Sequence, residues 1–472
     1  MDKDTNSLGM AKMETKAKQY YATYEKHMDL LMNESTLSKI RPVDSYDVWA
    51  LGQQFETFDM MKDMYEANGS ISQLGPIPKI VYDVLTVEYG TQVLPHICNI
   101  QPIEDQKGVV YFMNLKSANT VTKGNVTPGE VLEDVQTGIV TPEAWAGNTV
   151  TNEIGAVVPT PSITPNFNFT CANIPLRGSM KITLQGSPAI YCIDNEDGTL
   201  IGAGVYGTID YDNGDIVLHF AANPPQAMNI YATYNINYEA ATDIPTVQAF
   251  LDSTLVEAQV YALKTTLGML ENFGFQRRFG ISAEEMMSRN LISEVNIEVA
   301  GDVIKNLYAN VQGSTTYDNA VSGSESYYEH KQNFKDAMAQ AEEVIIGNAG
   351  RGMISTMIAG RKACGLIKTL PGFVLMADGQ QFGAHVFGTL DGVTVVRVPE
   401  TAVLPTNKVV CLHKGNTPFE TAAVYAPFMP LTVTSLIPLA PNPLQQMRAA
   451  AVWAANKVLI KNFITQIEIT HI

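Results

Sequence analysis

Ser282 to Ala309 reads SAEEMMSRNLISEVNIEVAGDVIKNLYA, and this stretch decides how the chain is organised. Ser282 with Glu285 three residues on has the form of a capping box. Leu291, Val295, Val299 and Val303 recur every four residues, and Ile292, Ile304 and Leu307 broaden the row into an apolar stripe. The spacing predicts one long helix, roughly 40 Å at about 1.5 Å per residue. Glu294, Glu298 and Lys305 fall on the opposite face. A helix of this length serves as a spine for other elements, either in a buried enzyme core or in a structural subunit.

Around it, 472 residues with 46% hydrophobic and 17% charged content allow two or three domains with a sizeable core. The net charge of −17 argues against a protein that coats nucleic acid or an anionic membrane surface, both of which need clustered Lys and Arg. Cys98, Cys171, Cys192, Cys364 and Cys411 are scattered without CxxC spacing, which favours reduced thiols in a cytoplasm. The first residues carry no signal-peptide core, and no run approaches a membrane span.

Residues 1–68 are polar, with Val48, Leu51, Phe55 and Phe58 at helical spacing and Met60, Met61 and Met64 after them. No partner face is evident within the segment, so it reads as a helical arm that packs on something else. Residues 80–93 have helix-like spacing, and 92–103 and 108–115 read as two strands. Residues 116–157 read as a long extended loop, a length that is usually functional. Residues 158–240 carry short strands at regular spacing, 180–184, 189–193, 207–211, 215–220 and 228–238, with Asn213-Gly214 as the hairpin signal. They predict a small β-sandwich or barrel inserted into the loop. Beyond it, 255–267 reads as a strand running into a short helix through Phe273. Residues 311–330 read as a polar loop and 331–346 as a helix with Phe334, Met338, Ala341 and Ile345 on one face. Strands are expected at 373–377, 393–398 and 408–413, short helical pieces at 380–387, and a terminal strand on Phe463, Ile464, Ile467 and Ile469.

A search for chemistry finds little. There is no P-loop, GxSxG, HExxH or Rossmann fingerprint. Gly202 to Gly207 has a GxGxxG shape but lies among strands and opens no helix, so a turn is the better reading. Asp194 to Gly198 and Asp210 to Asp215 are acidic without the ligand spacing of a calcium loop, and hairpin turns account for both. His96 and His413 sit on apolar stretches as structural histidines. Arg277-Arg278, beside aromatics, suit a salt bridge better than a phosphate site. No catalytic, cofactor-binding or metal residues are assigned.

The order of elements resembles the major capsid proteins of tailed bacteriophages with the Hong Kong 97-like fold, most closely the T-even type of contractile-tailed phages. Three places carry the resemblance. Asn99-Ile-Gln-Pro-Ile103 followed by Gly108 and Val109-Val110-Tyr111-Phe112 is similar to the family's entry into its extended loop. Residues 256–307 are similar to its return strand and spine helix. Tyr425, Pro427, Phe428, Pro430 and Leu431 match its Tyr-x-Pro-aromatic-x-Pro-Leu segment. The resemblance implies an α+β fold: an N-terminal arm at 1–79, peripheral (P) domain at 80–103, extended E-loop at 104–157 and 241–255, and an inserted all-β domain at 158–240. The P-domain resumes at 256–352 with its spine at 282–309, an axial (A) domain follows at 353–417, and P-domain strands close the chain at 418–472.

It further implies a non-enzymatic, cofactor-free virion subunit that assembles with itself into hexamers and pentamers of an icosahedral head. Scaffold, portal, vertex and decoration proteins are the implied partners. Double-stranded DNA would be enclosed without sequence-specific contact, with no membrane involved and with assembly in the host cytoplasm. In some relatives an E-loop lysine joins a neighbour's asparagine, for which Lys116 or Lys123 with Asn442 or Asn456 are the candidates here. Competing readings are a cellular nanocompartment shell, another phage component such as a tail or baseplate protein with a carbohydrate-binding β domain, and an enzyme with an embedded domain of that kind.

Overall fold

The computed structural model describes residues 4–67, 86, 89, 93–118 and 246–472, with breaks at 281–282, 322, 324–325, 377–381, 416–419, 435, 440–441 and 443. Between 118 and 246 it describes 127, 129, 131–134, 139–140, 149–159, 164–185, 187–224 and 228–240. The expected helix at 80–93 lies almost wholly outside the described residues, as does the Ser282 half of the expected capping box. Two compact units emerge. One comprises Met1–Phe112, Val135–Gly138 and Ser253–Ile472, the other Met113–Asp134 and Ile139–Asp252.

The first unit opens with helices α1 (Asp4–Thr23), α2 (Glu25–Glu34), α3 (Thr36–Ile40) and α4 (Ser45–Ala67). The apolar row Val48, Leu51, Phe55 and Phe58 is buried, joined by Ala17, Met28, Leu31 and Leu37 from the other three helices. Tyr24 meets Phe55 edge-on at 4.9 Å, and α1 lies along α4. The expectation that this segment lacks a partner within the chain is therefore corrected. Its apolar faces converge on one another and on the body, a convergence that no single helix period displays.

A further correction concerns 92–103. Leu94–Ile97 is one helical turn, α5, with Pro95 in its first turn, and among the described residues of this range only Asn99–Ile100 (β1) pairs as a strand. The strand β2 (Lys107–Ser117) forms as expected. It pairs with β13 (Val247–Glu257) and with the short β3 (Val131–Asp134), which pairs with β4 (Ile139–Val140). The chain leaves the first unit along β2 and returns along β13.

In the second unit the chain adds β5 (Thr149–Val157), β6 (Asn166–Thr170), β7 (Lys181–Leu184), β8 (Ser187–Asp194), β9 (Thr199–Gly202), β10 (Val205–Ile209), β11 (Asp215–Phe220) and β12 (Asn229–Asn235). They form one eight-stranded sheet in the order β5-β12-β7-β8-β9-β10-β11-β6. Alternating residues such as Ile182, Leu184, Ile216, Leu218, Ile230 and Ala232 fill its core. The sheet starts at Thr149, earlier than the expected boundary at 158, because β5 pairs with β12 along its whole length. Asn213-Gly214 makes the β10–β11 hairpin. Gly214 has φ +75°, a left-handed conformation that a side chain opposes, and its N–H donates to the Asp210 carbonyl at 2.8 Å.

Back in the first unit, β14 (Gln259–Gly268) runs into helix α6 (Met269–Phe279), which ends at Gly280. Then Ala283–Ala309 forms the long helix α7. Leu291, Val295, Val299, Val303, Ile304 and Leu307 are buried, and Glu294, Glu298 and Lys305 are exposed. At about 1.5–3 kcal/mol per buried aliphatic side chain, the stripe contributes on the order of 10 kcal/mol gross.

The stripe packs on a sheet of order β1-β21-β23-β14, where β21 is Ala423–Val433 and β23 is Gln445–Val458; β22 (Ile437–Pro438) also pairs with β23. A polar line pins helix to sheet. Tyr261 donates its hydroxyl to Asp302 at 2.8 Å, Asn456 donates to Asp302 at 2.9 Å, and Asn306 donates to Asn456 at 2.6 Å.

The remaining elements are β15 (Gly313–Asp318), α8 (Tyr327–Ala349), β16 (Thr356–Gly360), α9 (Arg361–Ile367), β17 (Phe373–Leu375), β18 (His385–Leu390), β19 (Val393–Val398), β20 (Lys408–Leu412) and β24 (Ile464–Thr470). Their seven-stranded sheet runs β15-β24-β20-β16-β19-β18-β17. Two expectations change. The loop at 311–330 contains β15, and the helical pieces at 380–387 give way to β18 where that range is described. Helix α8 buries Phe334, Ala341 and Ile345 as its period required, and is capped by a reciprocal Ser326–Glu329 pair.

Candidate functional site

Among the described residues, a cluster of buried polar groups lies in the first unit, where the helical segment meets the body. Asp44 precedes α4 and accepts from the backbone N–H groups of Tyr46 and Asp47 at 3.0 Å, while Asp47 accepts in return from Asp44 N–H at 3.3 Å. This capping arrangement turns Asp47 inward, where it is 2% exposed. Arg41 reaches it at 2.8 Å and the Tyr89 hydroxyl donates to it at 3.0 Å. Beside it the Tyr46 hydroxyl donates to the Ile100 carbonyl at 2.7 Å, tying α4 to β1.

Lys414 lies just past β20. Its ammonium donates to the carbonyls of Pro95 and, at 3.1 Å, Cys98. Thr356 on β16 donates to the His96 carbonyl at 2.9 Å. A cleft of about 400 Å³ runs among Arg41, Asp44, Tyr46, His96, Thr356 and Lys414.

Burial dominates the protonation states. It lowers His96 to about 3, aided by the charges of Lys414 and Arg41, so the imidazole is neutral. Burial also lowers Lys414 to about 8 and raises the Cys98 thiol to about 12. An inert thiol, a neutral imidazole and an amine committed to two carbonyls do not make a nucleophile with a base. What the cluster does is hold three chain segments together through charge-assisted hydrogen bonds.

The other residues singled out by sequence fall in separate places. His413 contacts Met353 through Nδ1 and packs edge-on to Phe463 at 4.7 Å. Its hydrogen bond holds Glu420 below the usual carboxylate range. Gly202–Gly207 spans the end of β9, a turn at Ala203-Gly204 and the start of β10, with Gly204 at φ +82°. Asp194 accepts from the Gly178 and Glu196 N–H groups, and Asp210 from Asp212 N–H and the Asn213 side chain, as turn residues do.

Among the described residues no His, Cys, Asp or Glu cluster could hold a metal ion. Arg277 and Arg278 are exposed at the end of α6. Lys116 sits 4.0 Å from the Phe250 ring centre, Asn442 accepts from Leu444 N–H, and Lys123 lies outside the described residues. Sequence reasoning did not single out Asp47, Lys414, Arg41 or Tyr89. An isolated Lys or Asp reads as solvated surface, and only the Asp44-x-x-Asp47 spacing ahead of an apolar row hinted at a cap.

The family profile of major capsid protein Gp23 matches residues 89–465. No curated protein sequence matches at a significant level. Among solved structures, a chain of Mycobacterium phage Che8 is 12% identical, covering 64% of this chain and 91% of that one at a TM-score of 0.33. The mature capsid of bacteriophage PhiM1 is 13% identical, covering 49% and 76% at 0.32. The SrpI encapsulin of Synechococcus elongatus is 11% identical, covering 47% and 77% at 0.31.

Proposed function

The chain belongs to the family of major capsid protein Gp23, and from that premise we propose how it builds the phage head. It is a structural, non-enzymatic subunit of the virion that self-assembles into the head shell. In our reading it does so through hexamers and pentamers closed by head-to-tail contacts, since a heterologous contact that closes on itself makes a ring. Helix α7 is the spine of a P-domain whose sheet is β1-β21-β23-β14. Residues 353–417 form the axial domain that gathers subunits at the local axes, although their sheet also takes in β15 and β24. The strands β2 and β13 with their short partners form the E-loop base, and the eight-stranded sheet is the inserted domain.

The helical segment before Ala67 clasps its own subunit in this scheme, because the buried Arg41–Asp47 cluster secures it there. The charge of −17 suits a wall that holds double-stranded DNA by confinement, since phosphates are repelled by it. Portal, scaffold, vertex and decoration proteins are the expected partners, and the host cytoplasm is the expected place of assembly.

The observation that carries the reading is the family match over residues 89–465. Negative-stain microscopy of the purified protein tests it. Icosahedral shells or six-fold rings are expected. A uniform monomer under all assembly conditions, with turnover of a small molecule, would sink the proposal.

A further inference from the structure

Helix α6 is unusual in what it leaves uncovered. None of its described side chains is buried, and Met269, Leu270 and Phe273 are 54%, 78% and 62% exposed. Leu444, whose carbonyl accepts the Met269 N–H at 2.9 Å, adds another side chain at 55% exposure. An isolated helix shorter than about 12–15 residues is marginal in water, and α6 has 11. The four side chains make an apolar knob at the end of the β14–β23 pair. The helix carries opposite charges at its two ends, Glu271 in the first turn and Arg277 and Arg278 in the last.

The same unit carries a groove of about 620 Å³ between α1, α4 and the turn before β2. Its apolar walls include Met13, Trp49, Ile103, Val109 and Tyr111. Its charges are segregated, with Lys12 and Lys16 on the α1 side and Glu104 and Asp105 on the turn, while Lys107 on the same rim pairs with Glu257 at 3.5 Å.

We propose that the α6 knob of one copy of this chain docks into this groove of the next copy. The first turn lies toward Lys12 and Lys16, and Arg277-Arg278 toward Glu104-Asp105. Knob and groove are different surfaces, so the contact is heterologous and repeats from copy to copy. Docking buries the apolar face that α6 lacks the means to cover alone, and matches its charged ends to charges of opposite sign. This inference rests on the shell-forming reading above.

The test uses Phe273→Cys and Tyr111→Cys together in the full chain, where all five native cysteines are buried. Assembled particles are oxidised and run on a denaturing gel without reductant. A ladder of covalent oligomers is expected, with each single-cysteine variant remaining monomeric. Particles that assemble yet stay monomeric on the gel overturn the docking and leave the shell reading in place. A wild-type chain that forms no particles overturns both.

Charge exchange gives a second route that does not depend on the cysteines. Arg277→Glu with Arg278→Glu should lower particle yield at least tenfold, and adding Glu104→Arg with Asp105→Arg should restore it. No loss, or a loss that the exchange does not restore, rules out the assigned pairing.

Discussion

Replacing Val295 by aspartate puts a carboxylate into a fully buried position. Val295 is 0% exposed on the face of α7 that packs against β14, β21 and β23. The change forfeits about 2 kcal/mol of aliphatic burial. It also buries a carboxyl group with no partner in the stripe, which costs several kcal/mol even if the group protonates. Together these approach the roughly 5–15 kcal/mol by which a domain is stable.

Val295→Asp should therefore leave no soluble, assembling protein. Val295→Ala supplies the graded arm. Two lost carbons plus the residual cavity cost about 2–3 kcal/mol. In a unit of roughly 340 residues, at about 1.5 °C per kcal/mol, Tm should fall by about 3–4 °C. Glu298→Ala, one turn on but exposed, should change stability by less than about 0.5 kcal/mol. Soluble fraction after expression and scanning calorimetry read all three. A soluble Val295→Asp protein that assembles would show that the buried face of the spine is assigned wrongly.

Three further outcomes follow from the same physics. Asp47→Ala leaves the Tyr89 hydroxyl without its carboxylate and the Arg41 charge with only the more exposed Asp44 at 3.7 Å, and should cost about 2–3 kcal/mol by urea titration, discounted because the Arg41 side chain is 29% exposed. A cost under 0.5 kcal/mol would remove the clasp from the account. His96 is lowered from 6.5 to about 3 when folded, so between those values the unfolded chain binds the extra proton. Its contribution is complete above about pH 6.5 and is lost as pH falls toward 3, about 2 kcal/mol of it by pH 5. The urea midpoint of His96→Phe should fall less than that of the wild type between pH 7 and pH 5, and an equal fall refutes the assignment. Gly214→Ala forces a side chain onto a φ of +75° and should destabilise the inserted sheet by about 1–2 kcal/mol, read as a lower thermal transition in the full chain.

Legibility followed the range of the interactions. The spine, α8 and the Asn213-Gly214 hairpin each announce themselves within a few residues, and the sequence reading located all three. The strand β18 misled because its first four residues are all buried, which erases the alternation that marks a half-exposed strand. The strand β15 was hidden in a polar loop for the opposite reason. Only Tyr317 of its six residues is buried, so it presents no apolar pattern at all. The seam at Asp47 joins positions more than 300 residues apart, and no local pattern encodes such a meeting. The resemblance to capsid proteins supplied the architecture that these long-range pairings carry out.

The parallel pairing of β15 with β24 also sets a clock. Gly313 and its partner Thr465 are 152 positions apart in the chain. At about 5–20 residues per second, a ribosome delivers the second strand roughly 8–30 s after the first. Late in that interval β15 and β20 have both emerged, but the strand that belongs between them has not. A subunit interrupted during synthesis cannot close this sheet, so translation itself screens which chains become competent to join a growing particle.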